Sequence, residues 1–144
     1  HVVALFNWSD REKEVSVDWS EIGERSERVF VAWEFWTETY LGERKGSVSV
    51  SVPPRAVRLV ALQPLAGHPQ FLTCDRHVTQ GAVGLLDQKW DGSRLSVKIA
   101  AVGGFSQIVR FAVPKGWKLK GATADGIGVK AKEEHDGRVC APNS

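Results

Sequence analysis

The chain reads as an all-β protein, an antiparallel β-sandwich of about ten strands. Three observations predict this class. Apolar and polar residues alternate with a period of two along most of the sequence, turn dipeptides recur at short intervals, and no segment carries a sustained helical apolar stripe. Ser47-Val-Ser-Val-Ser-Val52, running into Pro53-Pro54, is the clearest case. Val48, Val50 and Val52 fall on one face and the serines on the other, so the strand has a dry side and a wet side. The prolines end it, because they cannot donate to a ladder.

The remaining elements follow in order. Val2-Val-Ala-Leu-Phe6 is apolar on both faces, as expected of a central strand, and Asn7 to Lys13 is a polar turn. Val15, Val17 and Trp19 alternate with Ser16 and Asp18. Ser20 to Arg28 is charged and has room for one helical turn with Ser20 as its cap. Val29, Val31, Trp33 and Phe35 line one side of the next strand, opposite Phe30, Ala32 and Glu34. Gly42 and Gly46 bracket a turn before the serine–valine strand, and Val57–Leu62 is another strand. At Pro64-Leu-Ala-Gly67-His-Pro69 breakers take over, which divides the chain into residues 1–64 and 65–144. The later segment either completes the same sandwich or forms a second small β-subdomain. Within it, turns at Asp91-Gly92, Gly103-Gly104, Pro114-Lys-Gly116, Asp125-Gly126 and Asp136-Gly137 separate short alternating runs. Such dipeptides supply the positive φ that tight hairpins need, so an up-and-down meander follows a Greek-key opening.

The 144 residues carry a formal charge of +2 with 25% charged side chains. Residues 1–64 hold 8 Lys/Arg and 10 Asp/Glu, and residues 65–144 hold 11 and 7. Neither half is basic enough for a nucleic-acid footprint. No apolar run approaches membrane-spanning length, so no membrane partner is expected. Met is absent, even at position 1, and no signal peptide precedes His1; the expectation is a piece of a longer protein. Cys74 and Cys140 are expected as two buried thiols, the alternative being a bridge across the second half.

Several spaced motifs resemble one family. Val3-Ala-Leu-Phe-Asn-Trp8-Ser-Asp10 followed by Val15-Ser-Val-Asp-Trp19 is similar to the opening of the C-terminal β-sandwich of melibiase-type α-galactosidases. Trp36-Thr-Glu-Thr-Tyr40-Leu-Gly42 resembles that family's Asp-Leu-Trp-Thr-Gly-Glu…Leu-Gly segment, with Glu34-Phe35 in place of Asp-Leu. Ser47 through Leu59 is similar to its closing strands, with Arg55-Ala56 where His-Gly is usual. The resemblance covers residues 2–64. Beyond them, His77-Val-Thr-Gln-Gly81 with Trp90 resembles an extension in some bacterial and archaeal relatives. The resemblance implies a retaining glycosidase parent with a (β/α)₈ barrel and two catalytic aspartates there. No barrel residue is present, so no catalytic residue carries over. The implied partner is the barrel of the same chain, with an oligosaccharide as a possible second.

The residues themselves point the same way. Asp10, Glu12 and Glu14, and the cluster Glu133-Glu134-His135-Asp136, read as solvated turns, because nothing apolar surrounds them to raise a pKa for acid catalysis. The four histidines show neither i,i+4 pairing nor a nearby cysteine pair, so no metal or other cofactor is expected. Six tryptophans are the informative feature. Trp19 and Trp33 read as core. Trp36, Tyr40, Trp90 and Trp117 sit beside turns, as candidates for a domain interface or for stacking on a sugar. His77, between Arg76 and an apolar run, joins them with a structural hydrogen bond as the favoured role. The five C-terminal lysines, Lys115, Lys118, Lys120, Lys130 and Lys132, read as solvated edge protection. The sequence therefore predicts an accessory, non-catalytic domain, with a carbohydrate-binding module as the alternative reading.

Overall fold

The computed structural model describes residues 1–100, 103, 106–135 and 139–142, and almost every element in it is an antiparallel strand. The chain divides into two compact units, His1–Leu65 and Ala66–Ser144.

The first unit contains β1 (Val2–Asn7), β2 (Lys13–Asp18), β3 (Val29–Glu34), β4 (Thr39–Lys45), β5 (Ser47–Val52) and β6 (Ala56–Pro64). One sheet has the order β1-β6-β3-β4, and β2 pairs with β5 as a second layer. The chain passes between the layers repeatedly, as a Greek-key opening requires. Val15 stands opposite Val50 and Val17 opposite Val48, which places the dry faces of both strands together. The core between the layers is Leu5, Phe30, Ala32, Val60 and Leu62 from one sheet and Val17, Val48, Val50 and Val52 from the other, with Trp19 among them. Trp19 is fully buried, its ring edge-on to Phe30 at 5.2 Å, and its indole N–H donates to the Arg28 carbonyl at 2.9 Å.

Two local expectations are corrected here. The helical turn is a single 3₁₀ turn, Trp19–Ile22, and its N-cap is Asp18 rather than Ser20. Glu21 accepts from the Asp18 N–H at 2.9 Å, and Gly23 at φ 76° ends the turn. β1 is also an edge strand, not a central one. Its Leu5 faces the core, while Ala4 and Phe6 face outward and are exposed. Asn7, read from sequence as the start of a polar turn, is buried; its amide donates to the carbonyls of Arg11, Val52 and Pro53 at 2.7–3.0 Å. That amide ties the 7–13 turn to the end of β5.

The second unit contains β7 (Gln70–Cys74), β8 (Leu85–Trp90), β9 (Leu95–Ile99), β10 (Val109–Ala112), β11 (Ala122–Ala124), β12 (Ile127–Val129), β13 (Ala131–Glu134) and β14 (Val139–Pro142). Its main sheet has the order β13-β14-β10-β7, flanked by the hairpins β8-β9 and β11-β12. The strands thus exceed the ten or so expected, because these late segments are short and numerous. The pairing also departs from a strict meander, since β10 joins β7 across the β8-β9 hairpin. Every residue of β7 is buried, including the polar Gln70 and Thr73. β8 and β9 alternate between exposed and half-buried positions and suit a hairpin with one wet face. Asp125 and Gly126, at φ 50° and 81°, make the β11-β12 turn. Gly81 has no substitute, because a Cβ there would stand 2.4 Å from the Phe71 ring. Cys74 is a buried free thiol, and burial pushes its pKa up. The Cys140 side chain and the turns at Gly103-Gly104 and Asp136-Gly137 lie wholly or partly outside the described residues.

The acidic cluster at 133–136 is not all solvated turn. Glu134 lies 3.5 Å from the Nε of Arg110, which is only 4% exposed, and 3.1 Å from Lys132 Nζ. Burial opposes the charge on Glu134, but the hydrogen bond from Lys132 and the Arg110 guanidinium outweigh it and hold the carboxyl below its ordinary 4.5. A depressed folded pKa stabilises fully above the unfolded value, and the gain is lost as pH falls through the folded one. Glu134→Gln is expected to cost about 1–3 kcal/mol, below the range for a fully buried pair because the carboxylate is partly solvated. Thermal melts from about pH 7 to about pH 3 should show an acid loss in the parent chain that the variant lacks.

Candidate functional site

The candidate site of the first unit is the outer face of its four-stranded sheet. Strand alternation sends Phe30, Ala32, Val60 and Leu62 inward, so the residues between them face out. The register then lines up three rows. Val2, Ala61, Trp33 and Tyr40 form one. Ala4 and Leu59 form the next, continued by Phe35, whose N–H donates to the Leu59 carbonyl at 2.9 Å. Phe6 and Val57 form the third. Neighbouring strands lie about 4.8 Å apart, so the residues within each row touch across the strands. Trp33 lies on this face and not in the cluster between the layers. It is nevertheless 1% exposed and its row-mate Ala61 0%, so this row is already covered and it is mainly the other two rows that reach solvent.

Three rings stand out from this surface into solvent. Phe6, Trp8 and Trp36 are 50%, 82% and 54% exposed. Phe6 and Trp8 stack in parallel, with centroids 5.4 Å apart. Trp36 packs edge-on to Phe35 at 5.0 Å, on the turn between β3 and β4. That turn is organised by the buried carboxylate of Glu34. Its oxygens accept from the N–H groups of Trp36 and Thr37 at 3.2 and 2.7 Å, from the Thr37 hydroxyl at 2.6 Å, and from the Leu59 N–H at 3.4 Å. Glu38, in the same turn, takes φ 49°, the left-handed region that favours glycine.

The predicted candidates separate into three places. Trp36 and Tyr40 share the β3-β4 hairpin, Trp36 exposed and Tyr40 half-buried opposite Trp33. Trp90 and Trp117 meet in the second unit, edge to face at 5.1 Å, and His68 stacks on Trp90 at 5.2 Å with ring planes 6° apart. His77 stands alone and exposed, its Nδ1 accepting from the Thr79 N–H at 3.3 Å. Sequence reasoning missed Phe6, Trp8 and His68. Two aromatics at i,i+2 beside a turn were the available signal for the first pair.

Charged groups of the described residues engage in exposed or local pairs. Asp10 is exposed and pairs with Arg55 at 2.6 Å, and Glu14 accepts from the Ser49 hydroxyl at 2.7 Å. Among the described residues no group of His, Cys, Asp and Glu side chains is placed to hold a metal, and no helix is long and apolar enough to cross a membrane. Lys115, Lys118, Lys120, Lys130 and Lys132 are all exposed.

Residues 1–62 match the family described as the alpha galactosidase C-terminal beta sandwich domain. Among solved structures, alpha-galactosidase I from Mortierella vinacea is similar at 26% identity over 41% of this chain, with a TM-score of 0.39. A GH27 β-L-arabinopyranosidase from Geobacillus stearothermophilus is similar at 30% identity over 46%, with a TM-score of 0.41. The matched part spans 16% and 15% of those two chains. No curated protein matches.

Proposed function

We propose that the His1–Leu65 unit, matched along residues 1–62 to the alpha galactosidase C-terminal beta sandwich domain, is the accessory, non-catalytic domain of a glycoside hydrolase acting on α-galactosides. Its role is to pack on the catalytic barrel of the same polypeptide and stabilise it. The observation that carries this reading is the outer sheet face, where Phe6, Trp8 and Trp36 project into solvent beside Val57, Leu59 and Phe35. An exposed apolar surface of this kind marks an interface. Burying a large exposed side chain contributes about 1.5–3 kcal/mol, less for Phe6 and Trp36, which are already about half buried.

Two experiments test the proposal. The purified 144-residue chain should leave nitrophenyl α-galactoside intact, and measurable turnover would overturn its accessory role. The double substitution Phe6→Ser with Trp8→Ser should change the melting temperature of this chain little, since Trp8 is 82% and Phe6 50% exposed and their main contact is with each other. In the full-length enzyme the same pair should lower the melting temperature by several degrees. Equal melting of variant and parent full-length enzymes would remove the outer face as the docking surface.

A further inference from the structure

We infer that the second unit carries a carbohydrate-stacking subsite built on Trp117, with Trp90 and His68 as its support. Trp117 follows the turn at Pro114-Lys-Gly116, where Gly116 adopts φ 92° and the Trp117 N–H donates to the Pro114 carbonyl at 3.3 Å. The turn holds the ring out from the unit at 41% exposure. Trp90 ends β8, and one of its faces is taken by His68, whose Nδ1 lies 2.8 Å from the Pro69 carbonyl. Trp90 and Trp117 meet at 81°. In a T-shaped pair one ring offers an edge and the other a face. If Trp117 offers its edge, Trp90 covers neither of its faces; if Trp90 offers the edge, it covers one. Either way at least one face of Trp117 is left uncovered by this contact.

A partly exposed indole, with a face that its aromatic neighbour leaves uncovered, is what a pyranose needs. The axial C–H side of the sugar lies on the ring, and polar groups beside it fix hydroxyls. The Trp117 indole N–H has no acceptor among the described residues and is available as such a donor. Lys115 and Lys118 are its exposed neighbours in sequence. The His68–Trp90–Trp117 stack fixes the platform before ligand arrives, which lowers the ordering cost of binding. The subsite stands on this geometry, and only the choice of galactose-containing sugars as ligand class rests on the glycosidase parentage proposed above.

The test is calorimetric titration of the 144-residue chain with galactomannan oligosaccharides and, separately, with starch oligosaccharides, read also by tryptophan fluorescence. Binding in the millimolar range or tighter is expected, at least tenfold weaker in Trp117→Ala and unchanged in Trp36→Ala. Trp117→Phe, which keeps a flat ring, should retain part of the affinity. The circular-dichroism spectrum and melting temperature of each variant separate lost binding from lost folding. No heat and no fluorescence change with either sugar, or equal affinity in Trp117→Ala, would overturn the subsite and leave the docking role of the first unit untouched. Binding of starch alone would support the subsite and reject galactose as its ligand.

Discussion

Trp19→Ala is expected to lower the stability of the His1–Leu65 unit by about 3–5 kcal/mol, the range for removing a buried aromatic from a close-packed core. The side chain is fully buried among valines from β2 and β5 and residues from β3 and β6. Its loss removes the edge-on contact with Phe30 and leaves the Arg28 carbonyl without its indole donor. A domain of this size is stable by only about 5–15 kcal/mol in total, so the variant stands near the unfolding threshold. Trp19→Phe should recover most of the loss, because it keeps a ring in the site and forfeits mainly the hydrogen bond. Urea unfolding followed by circular dichroism measures both. A cost below about 1 kcal/mol for Trp19→Ala would mean the core is not organised around this residue.

The second large effect falls at Glu34. Its carboxylate is 2% exposed and accepts three backbone N–H groups and one hydroxyl around the β3-β4 turn. Glu34→Ala leaves those donors without their acceptor. Each buried, unsatisfied group costs about 1–3 kcal/mol, and water reaching the exposed turn recovers part of that, so a net loss of about 2–4 kcal/mol is expected. The consequence is local as well as global. Without the anchor the Trp36 ring loses its fixed position, and the Trp36 indole resonance in a nitrogen–proton spectrum should broaden or shift. Glu34→Gln keeps one carbonyl acceptor and should cost less than Glu34→Ala. An unchanged indole resonance in both variants would show that the turn holds itself.

The legible parts of this fold were those where one local rule decides. Ser47–Val52 became β5 because period-two alternation has a single structural meaning when one face is dry. Asp125-Gly126 became a hairpin turn because two consecutive positive φ angles leave few alternatives. What sequence left hidden depends on partners distant in the chain. β1 is apolar on both faces whether it lies at the centre or at the edge of a sheet, and only its pairing with β6 alone places it at the edge. The same ambiguity concealed Phe6 and Trp8, whose exposure follows from that edge. Trp33 reads as core because it is apolar and alternates correctly, and it is buried at 1% exposure, but the register puts it on the face opposite to Phe30, outside the interlayer cluster. Glu134 reads as one charge in an acidic run, and only the β13-β14-β10 order brings it to the buried Arg110. Trp90 and Trp117 were recognisable singly as aromatics beside turns. Their meeting with His68 required three separate loops of the second unit.

Glu38 illustrates the gain from combining both levels. The family segment that this stretch resembles carries glycine after its Trp-Thr pair, and the structure gives Glu38 the positive φ that glycine tolerates. The backbone conformation is kept although the residue suited to it is not.

In the proposed role, the outer face of the first sheet is the docking surface. Hydroxyl-radical footprinting of Trp8 tests this directly, because that ring is 82% exposed in the chain described here. Docking on a catalytic barrel predicts strong Trp8 oxidation in the 144-residue chain and at least fivefold protection in the full-length enzyme. Equal oxidation of Trp8 in both proteins would contradict it.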